Sequence, residues 1–227
     1  MCAPFGAARK RGPMIHRFAF FVAVLTCLIM AADRADAHPH VWVTMTEELV
    51  YAPDGSVTGV RHAWTFDDMF SAFATQGMEQ KTKGEFTRQE LEPLAKVNVE
   101  SLKEYAYFTY AKVNGKRQRD AFLDPVDYFL EYENGLLVLH FTLPLKTPVR
   151  PKVLALEVFD PTYFVDFKLA DKDPVKLVGA PEACKFEFQR PNDGAASAQA
   201  LGEQNFTDGG NGNFGAMFAN KITVTCP

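Results

Sequence analysis

The alternation of apolar and polar positions predicts a chain built mainly from β-strands. Residues 40–51 and 57–66 are rich in β-branched and aromatic residues. They flank Pro53-Asp54-Gly55, a combination that is typical of tight turns. Residues 38–66 are therefore predicted to contain a β-hairpin.

Two helices are predicted after this hairpin. Asp67 is a natural N-cap for a short helix that ends near Gly77. The apolar face of this helix is predicted to carry Met69, Phe70, Phe73 and Ala74. A second helix is predicted over 87–104, where Thr87 and Glu90 match a capping box. Pro93 conflicts with this assignment, because proline lacks a backbone donor, so the helix is expected to begin or to kink there.

The rest of the chain is predicted to be strands and turns. Asn114-Gly115 and Asn134-Gly135 are hairpin signals. The predicted strands are 105–113, 126–133, 136–145, 152–159, 163–169, 174–178 and 183–189. The fold class that follows is α+β, a mostly antiparallel β-sheet with two helices packed on one side and one disulfide.

The first 37 residues have the three parts of a secretory signal peptide. A basic stretch over 9–17 precedes an uninterrupted apolar run over 18–32, and Ala35-Asp36-Ala37 offers the small residues that a signal peptidase reads. The 15-residue run is shorter than the roughly 20 residues of a membrane-spanning helix, which leaves a retained anchor as the alternative. Residues 1–37 are predicted to be cleaved, and the mature chain to begin at His38 in the periplasm.

The mature chain divides by composition into three parts. An α+β domain is predicted over 38–190, followed over 191–220 by a loop rich in Gly, Asn and Ala with too few apolar groups to pack. Residues 221–227 are predicted to be a last strand that a disulfide ties back.

Charge and cysteine content change once the signal is removed. Cleavage takes five Lys/Arg and two Asp from totals of 24 and 28, which leaves 19 basic and 26 acidic residues and a net charge of −7. Such a chain is not expected to bind nucleic acid. Cys184 and Cys226 are the cysteines that remain, and an exported pair is expected to form a disulfide worth about 4 kcal/mol. A two-thiolate metal site is the alternative.

Four segments carry a resemblance to a known family. Residues 38–43 read HPHVWV, 61–71 read RHAWTFDDMFS, 159–165 read FDPTYFV and 218–226 read FANKITVTC. They resemble a bacterial family of periplasmic proteins of unknown function, described as the periplasmic component of an uncharacterised ABC-type transport system. The resemblance implies a membrane permease as partner. It also implies a metal, because members often accompany nickel- or cobalt-type permeases.

The predicted mature N-terminus has the chemistry of a metal ligand. His38 would offer an imidazole and an α-amine whose ordinary pKa is near ~8. Pro39 has no backbone N–H, so the site must use imidazoles, the amine and carboxylates, which suits Ni, Co, Zn or Cu. If the two hairpin strands pair in regular register from the turn, His40 falls opposite Asp68. The predicted site for one divalent transition metal ion contains His38, His40, Asp67 and Asp68. Asp67 is also explained as a helix cap.

Other functions are weighed against this one. The same regular register places His62 opposite Thr46, away from the site, and both His62 and His140 are interpreted as structural histidines. The chain has no nucleophile elbow, Gly-rich phosphate loop, HExxH or paired CxxC, so it is not predicted to be an enzyme. The alternatives are a metal-free structural or partner-docking domain for a membrane permease and a copper-dependent oxidative enzyme that uses His38.

Overall fold

The computed structural model describes residues 39–191 and 214–227. The predicted signal peptide, His38 and most of the predicted loop over 191–220 lie outside these ranges. The described strands are β1 (Val41–Tyr51), β2 (Val57–Phe66), β3 (Thr109–Val113), β4 (Lys116–Gln118), β5 (Val126–Glu133), β6 (Leu136–Val149), β7 (Val153–Val158), β8 (Val165–Leu169), β9 (Val175–Val178), β10 (Lys185–Gln189) and β11 (Asn220–Thr225).

The strands form two sheets. The larger sheet has the order β5-β6-β2-β1-β8, with β9 also paired to β1, and the smaller sheet has the order β10-β11-β7-β3-β4. Most neighbours are antiparallel, but β8 and β9 pair in parallel with successive parts of β1. The predicted α+β class with mostly antiparallel sheet is confirmed, and the division into two sheets is a feature that the sequence pattern did not resolve.

One hydrophobic core joins the two sheets. In β1 the odd-numbered residues from Val41 to Leu49 are buried, and the even-numbered residues face outward. The buried residues of β7 and β11, including Leu156 and Ile222, belong to the same core cluster. Strict alternation of this kind is expected when each sheet has one buried and one outer face.

Two α-helices follow the first hairpin. Helix α1 (Asp68–Ala74) contacts β6, and helix α2 (Arg88–Leu102) packs against β5. The apolar face predicted for α1 is wrong in part. Phe70 packs against the core, whereas Met69 and Phe73 are 74% and 75% exposed. A helix of two turns on the rim of a sheet buries a narrow stripe, and Ser71 occupies part of that stripe.

Helix α2 begins where the capping box predicts. The Thr87 side chain accepts a hydrogen bond from the backbone N–H of Glu90, whose carboxylate in turn accepts from the backbone N–H of Thr87. The helix continues through Pro93, which is exposed, so the backbone carbonyl that loses its donor can be hydrated. The segment Lys103–Phe108 follows, where a strand was predicted to start at 105. It consists of 3₁₀ turns interrupted by a kink, with Ala106 and Tyr107 at positive φ.

The C-terminal part is closed as predicted. Cys184 and Cys226 form a disulfide across a sequence separation of 42, at the adjoining ends of the paired strands β10 and β11. A short 3₁₀ helix (Phe214–Phe218) precedes β11 inside the region predicted as loop. Within residues 39–191 and 214–227, no helix is both long and apolar enough to cross a membrane.

Candidate functional site

The first residues of β1 are held between β8 and the start of α1. The backbone N–H groups of His40 and Val41 donate to the carbonyl of Phe164, at 2.9 and 3.3 Å. On the other side, the Asp67 N–H donates to the Trp42 carbonyl at 2.9 Å. The chain that follows the predicted cleavage point is therefore fixed to both neighbours from His40 onward.

Asp67 is the residue that joins β1 to α1. Its Oδ1 accepts from the backbone N–H of Phe70 at 2.8 Å, which caps the helix. Its Oδ2 accepts from the backbone N–H of Trp42, also at 2.8 Å. Both carboxylate oxygens therefore have a structural role, and the predicted role of Asp67 as a helix cap is confirmed.

The other predicted metal ligands are more open. Asp68 is exposed, and its Oδ1 accepts from the backbone N–H of Met69 at 2.9 Å. His40 is exposed, with its ring centroid 4.8 Å from that of Phe164. His38 lies outside the described residues. Among the residues that the structure describes, no group of three or more His, Cys, Asp or Glu side chains is arranged to hold a metal ion.

The predicted hairpin register is wrong by one residue. A bulge between Val50 and Tyr51 shifts the pairing of β1 with β2. Trp42 therefore lies beside Asp67, and Asp68, the first residue of α1, is not paired opposite His40. The same shift places His62 opposite Glu47, where the regular register had placed Thr46.

This shift creates a polar pair inside the core that the sequence analysis missed. The side chains of Glu47 and His62 are both 0% exposed, and His62 Nδ1 lies 2.6 Å from Glu47 Oε2. The two groups are in close contact without the alignment of a hydrogen bond, and His62 Nε2 also has no hydrogen-bond partner among the described residues. Trp64 Nε1 donates to Glu47 Oε1 at 3.4 Å, and Phe141 stacks on the imidazole at 4.5 Å. A glutamate at an inward position of an alternating strand was the signal that could have revealed it.

His140 lies on the outer face of β6 in a separate cluster. Its Nε2 is 3.1 Å from Glu131 Oε2, and its ring stacks on Phe129 at 4.6 Å. Arg88 contacts the same carboxylate and lowers the pKa of Glu131, chiefly through a hydrogen bond. These contacts agree with the structural interpretation of His140.

Three of the segments that carry the family resemblance contribute to an apolar concavity. It has a volume of about 410 Å³. We call it the motif cavity. Its walls include Val43 from β1, Trp64 and Phe66 from β2, Phe164 from the segment before β8, and Phe167 from β8 itself.

Helix α2 and the turn after β7 complete the motif cavity. Asn98, Ser101 and Leu102 line it from the helix, and Thr162 lines it from the turn. Asp160 also lines it and is 3% exposed.

Asp160 shapes the turn that borders the cavity. Its Oδ1 accepts from both the backbone N–H and the hydroxyl of Thr162 at 2.8 Å, and its Oδ2 accepts from the Val165 N–H at 3.0 Å. Gly215 packs so closely on this turn that a Cβ atom would lie 1.6 Å from the Asp160 carbonyl oxygen. The carboxylate of Asp160 is one of the few polar groups in the cavity wall.

Comparison with known proteins identifies the family. Residues 23–226 match the family described as "Protein of unknown function (DUF1007)". The chain belongs to the DUF1007 family. A relative in Haemophilus influenzae (strain ATCC 51907 / DSM 11121 / KW20 / Rd), described as "Uncharacterized protein", is 26% identical over 194 residues, which cover 84% of this chain and 91% of the relative. The resemblance to a family of unknown function is thereby confirmed.

A solved structure also matches at low similarity. Acetylcholine-binding protein type 1 of Biomphalaria glabrata is 9% identical, with a TM-score of 0.31 over 90% of this chain and 96% of the other. A likeness at this level carries no argument about the fold or function of the DUF1007 chain.

Proposed function

We propose that this DUF1007 protein is an exported, periplasmic binding component of a transport system, and that it binds one divalent transition metal ion at its mature N-terminus. The observation that supports the proposal is the attachment of α1 to the start of β1 by Asp67. This attachment ties the start of α1, where the exposed Asp68 lies, to the start of β1, which the exposed His40 immediately precedes.

The ligands would come from a terminal imidazole, an amine and a carboxylate. His38 would supply its α-amine and imidazole, His40 a second imidazole, and Asp68 an oxygen. Asp67 is the least available of the predicted ligands because its two oxygens already accept backbone hydrogen bonds. This donor set suits Ni, Co, Zn or Cu.

Calorimetric titration tests the site directly. The mature protein beginning at His38 would be titrated with Ni, Co, Zn and Cu beside a version with one additional residue before His38. We expect one-to-one binding that weakens at least about tenfold when the α-amine is blocked and when Asp68 is changed to Asn. Glu92→Gln, an exposed carboxylate change on α2, is the matched control and should leave the affinity unchanged.

Two results would refute the metal proposal. One is the absence of binding by both versions at neutral pH. The other is binding that neither the blocked terminus nor Asp68→Asn weakens, because the metal would then sit elsewhere.

A second candidate function is a metal-free docking domain for a membrane permease. The observation that favours it is the exposure of Met69 and Phe73, which lie four residues apart on one face of α1. Large apolar side chains at neighbouring surface positions are typical of interaction sites. This candidate requires that the protein cross-links to a co-expressed permease and that Met69→Ser/Phe73→Ser abolishes the cross-link. It also requires that titration with the four metals shows no binding.

A further inference from the structure

We propose that the motif cavity is a binding site for a compact aromatic molecule that is uncharged or cationic. The proposal goes beyond metal binding, because none of its steps uses His38, His40 or Asp68. It follows from the shape of the cavity, from its aromatic lining and from the charge of its wall.

The volume of the motif cavity is in the range of small-molecule sites and exceeds the volume of a packing defect. Protein interiors have few voids larger than a water molecule, and small-molecule pockets measure roughly 300–1,000 Å³. The motif cavity has about 410 Å³. Its floor is rigid, because Trp64 and Phe167 are 1% and 2% exposed and pack edge-to-face with ring centroids 4.8 Å apart.

Aromatic side chains form much of the lining. They are Trp64, Phe66, Phe70, Tyr105, Phe108, Phe164 and Phe167. Phe66 stacks on Phe70 at 4.4 Å and Tyr105 stacks on Phe108 at 5.3 Å, so each pair presents a fixed ring to the cavity. A flat ring gains offset-stacked and edge-to-face contacts in such surroundings, beyond the gain from apolar burial. Tyr105 and Phe164 are about half exposed and form the rim through which a molecule can enter.

The wall of the cavity selects against negative charge. Asp160 is the acidic residue in the lining, and none of the described lining residues is Lys, Arg or His. The Asp160 carboxylate already accepts three hydrogen bonds from its own turn. An anionic ligand would bring negative charge into a poorly hydrated space whose described lining offers no cation to pair with it.

Two fluorescent probes with one shared framework separate these properties. N-Phenyl-1-naphthylamine is neutral, and 8-anilinonaphthalene-1-sulfonate has the same rings with an added sulfonate. We expect the neutral probe to bind one-to-one with enhanced fluorescence and to raise the melting temperature. The sulfonate should bind at least about tenfold more weakly.

A cavity-filling substitution and a matched control locate the site. Asn98→Trp places a ring in the cavity and should weaken the neutral probe at least about tenfold. Val97→Trp, the same change one residue away on an exposed position that does not line the cavity, should leave it unchanged. Ser101→Trp, at an exposed position of the rim, provides the same test if Asn98→Trp unfolds the protein.

Two further variants test the charge argument and exclude the surface of α1. Ser101→Arg adds a cation to the rim and should strengthen binding of the sulfonate several-fold. Phe73→Ser removes an exposed ring outside the cavity and should change neither probe. The proposal is overturned if the tryptophan variants bind the neutral probe as the unmodified protein does, if the sulfonate binds as tightly as the neutral probe, or if Phe73→Ser abolishes binding.

Discussion

Replacing one member of the buried Glu47–His62 pair tests what this pair contributes to the fold. With His62→Phe, the ring stacking on Phe141 is retained, but Glu47 loses the imidazole that lies 2.6 Å from its carboxylate. Removing one partner of a buried ion pair typically costs about 3–5 kcal/mol, and this replacement leaves the Glu47 carboxyl buried without its partner. We expect that loss in the free energy of unfolding. For a chain of this size it corresponds to a fall in melting temperature of roughly 6–20 °C.

The double replacement should behave differently. Glu47→Met/His62→Phe removes both polar side chains and keeps an apolar volume in the core, and such replacements of buried ion pairs are often neutral or stabilising. His62 Nε2 is unsatisfied in the pair, so little favourable hydrogen bonding is lost, apart from the 3.4 Å contact of Trp64 Nε1. We expect the double variant to be within about 1 kcal/mol of the unmodified protein or above it.

Urea unfolding of the four proteins gives the coupling energy between the two sites. We expect at least about 2 kcal/mol. Glu48 and Arg61 provide a matched control in the same hairpin, because they pair at the next position on the exposed face with atoms 3.1 Å apart. Their coupling should stay below about 1 kcal/mol. Single replacements at Glu47 and His62 that each cost less than 1 kcal/mol and add without coupling would refute the reasoning.

Three further predictions concern the turns and the helix cap. Gly215→Ala should destabilise the protein by about 1–3 kcal/mol or more in thermal unfolding, because its Cβ would overlap the Asp160 carbonyl; an unchanged melting temperature would contradict this. Hydrogen bonds from the side chain and backbone of Ser56 lower the pKa of Asp54 from 3.8 to about 2, so its stabilising effect is present above pH 3.8 and is lost as the pH falls through about 2. The stability difference between Asp54→Asn and the unmodified protein should fade over that interval in acid titrations, and a constant difference would argue against it. Asp67→Ala should cost at least about 0.5–2 kcal/mol from the cap alone, measured by urea unfolding, and a neutral effect would show that its two hydrogen bonds are dispensable.

The sequence determined most of the local structure. The Asn114-Gly115 and Asn134-Gly135 turns form two-residue hairpins because both residues adopt positive φ, which Asn and Gly tolerate. The capping box at Thr87 fixed the start of α2, and the cysteine pair fixed the disulfide. The turns and the capping box depend on residues that are neighbours along the chain. The disulfide depends on the two cysteines of the predicted mature chain, which could pair only with each other. A single sequence therefore contains enough information to predict these features.

Contacts between distant segments were decided by the tertiary structure. The bulge between Val50 and Tyr51 leaves Tyr51 paired with Val57 but shifts the pairing by one residue from Val50 to Val43, and this shift brings Glu47 opposite His62. The turn residues do not reveal the bulge, whereas the alternation favours the observed register, because it sets the buried Met45 opposite the buried Trp64.

The motif cavity shows the same division between sequence and fold. The sequence marked the segments over 38–43, 61–71 and 159–165 as distinctive, and each was interpreted separately, as terminus, helix cap and turn. Only the parallel pairing of β8 with β1, a contact across more than a hundred residues, brings them around one apolar space. The pattern of a strand predicts which of its residues face inward, but it does not predict which strand will be its neighbour. Strand pairing depends on how much apolar surface the assembled sheets bury, and a single segment does not contain that information.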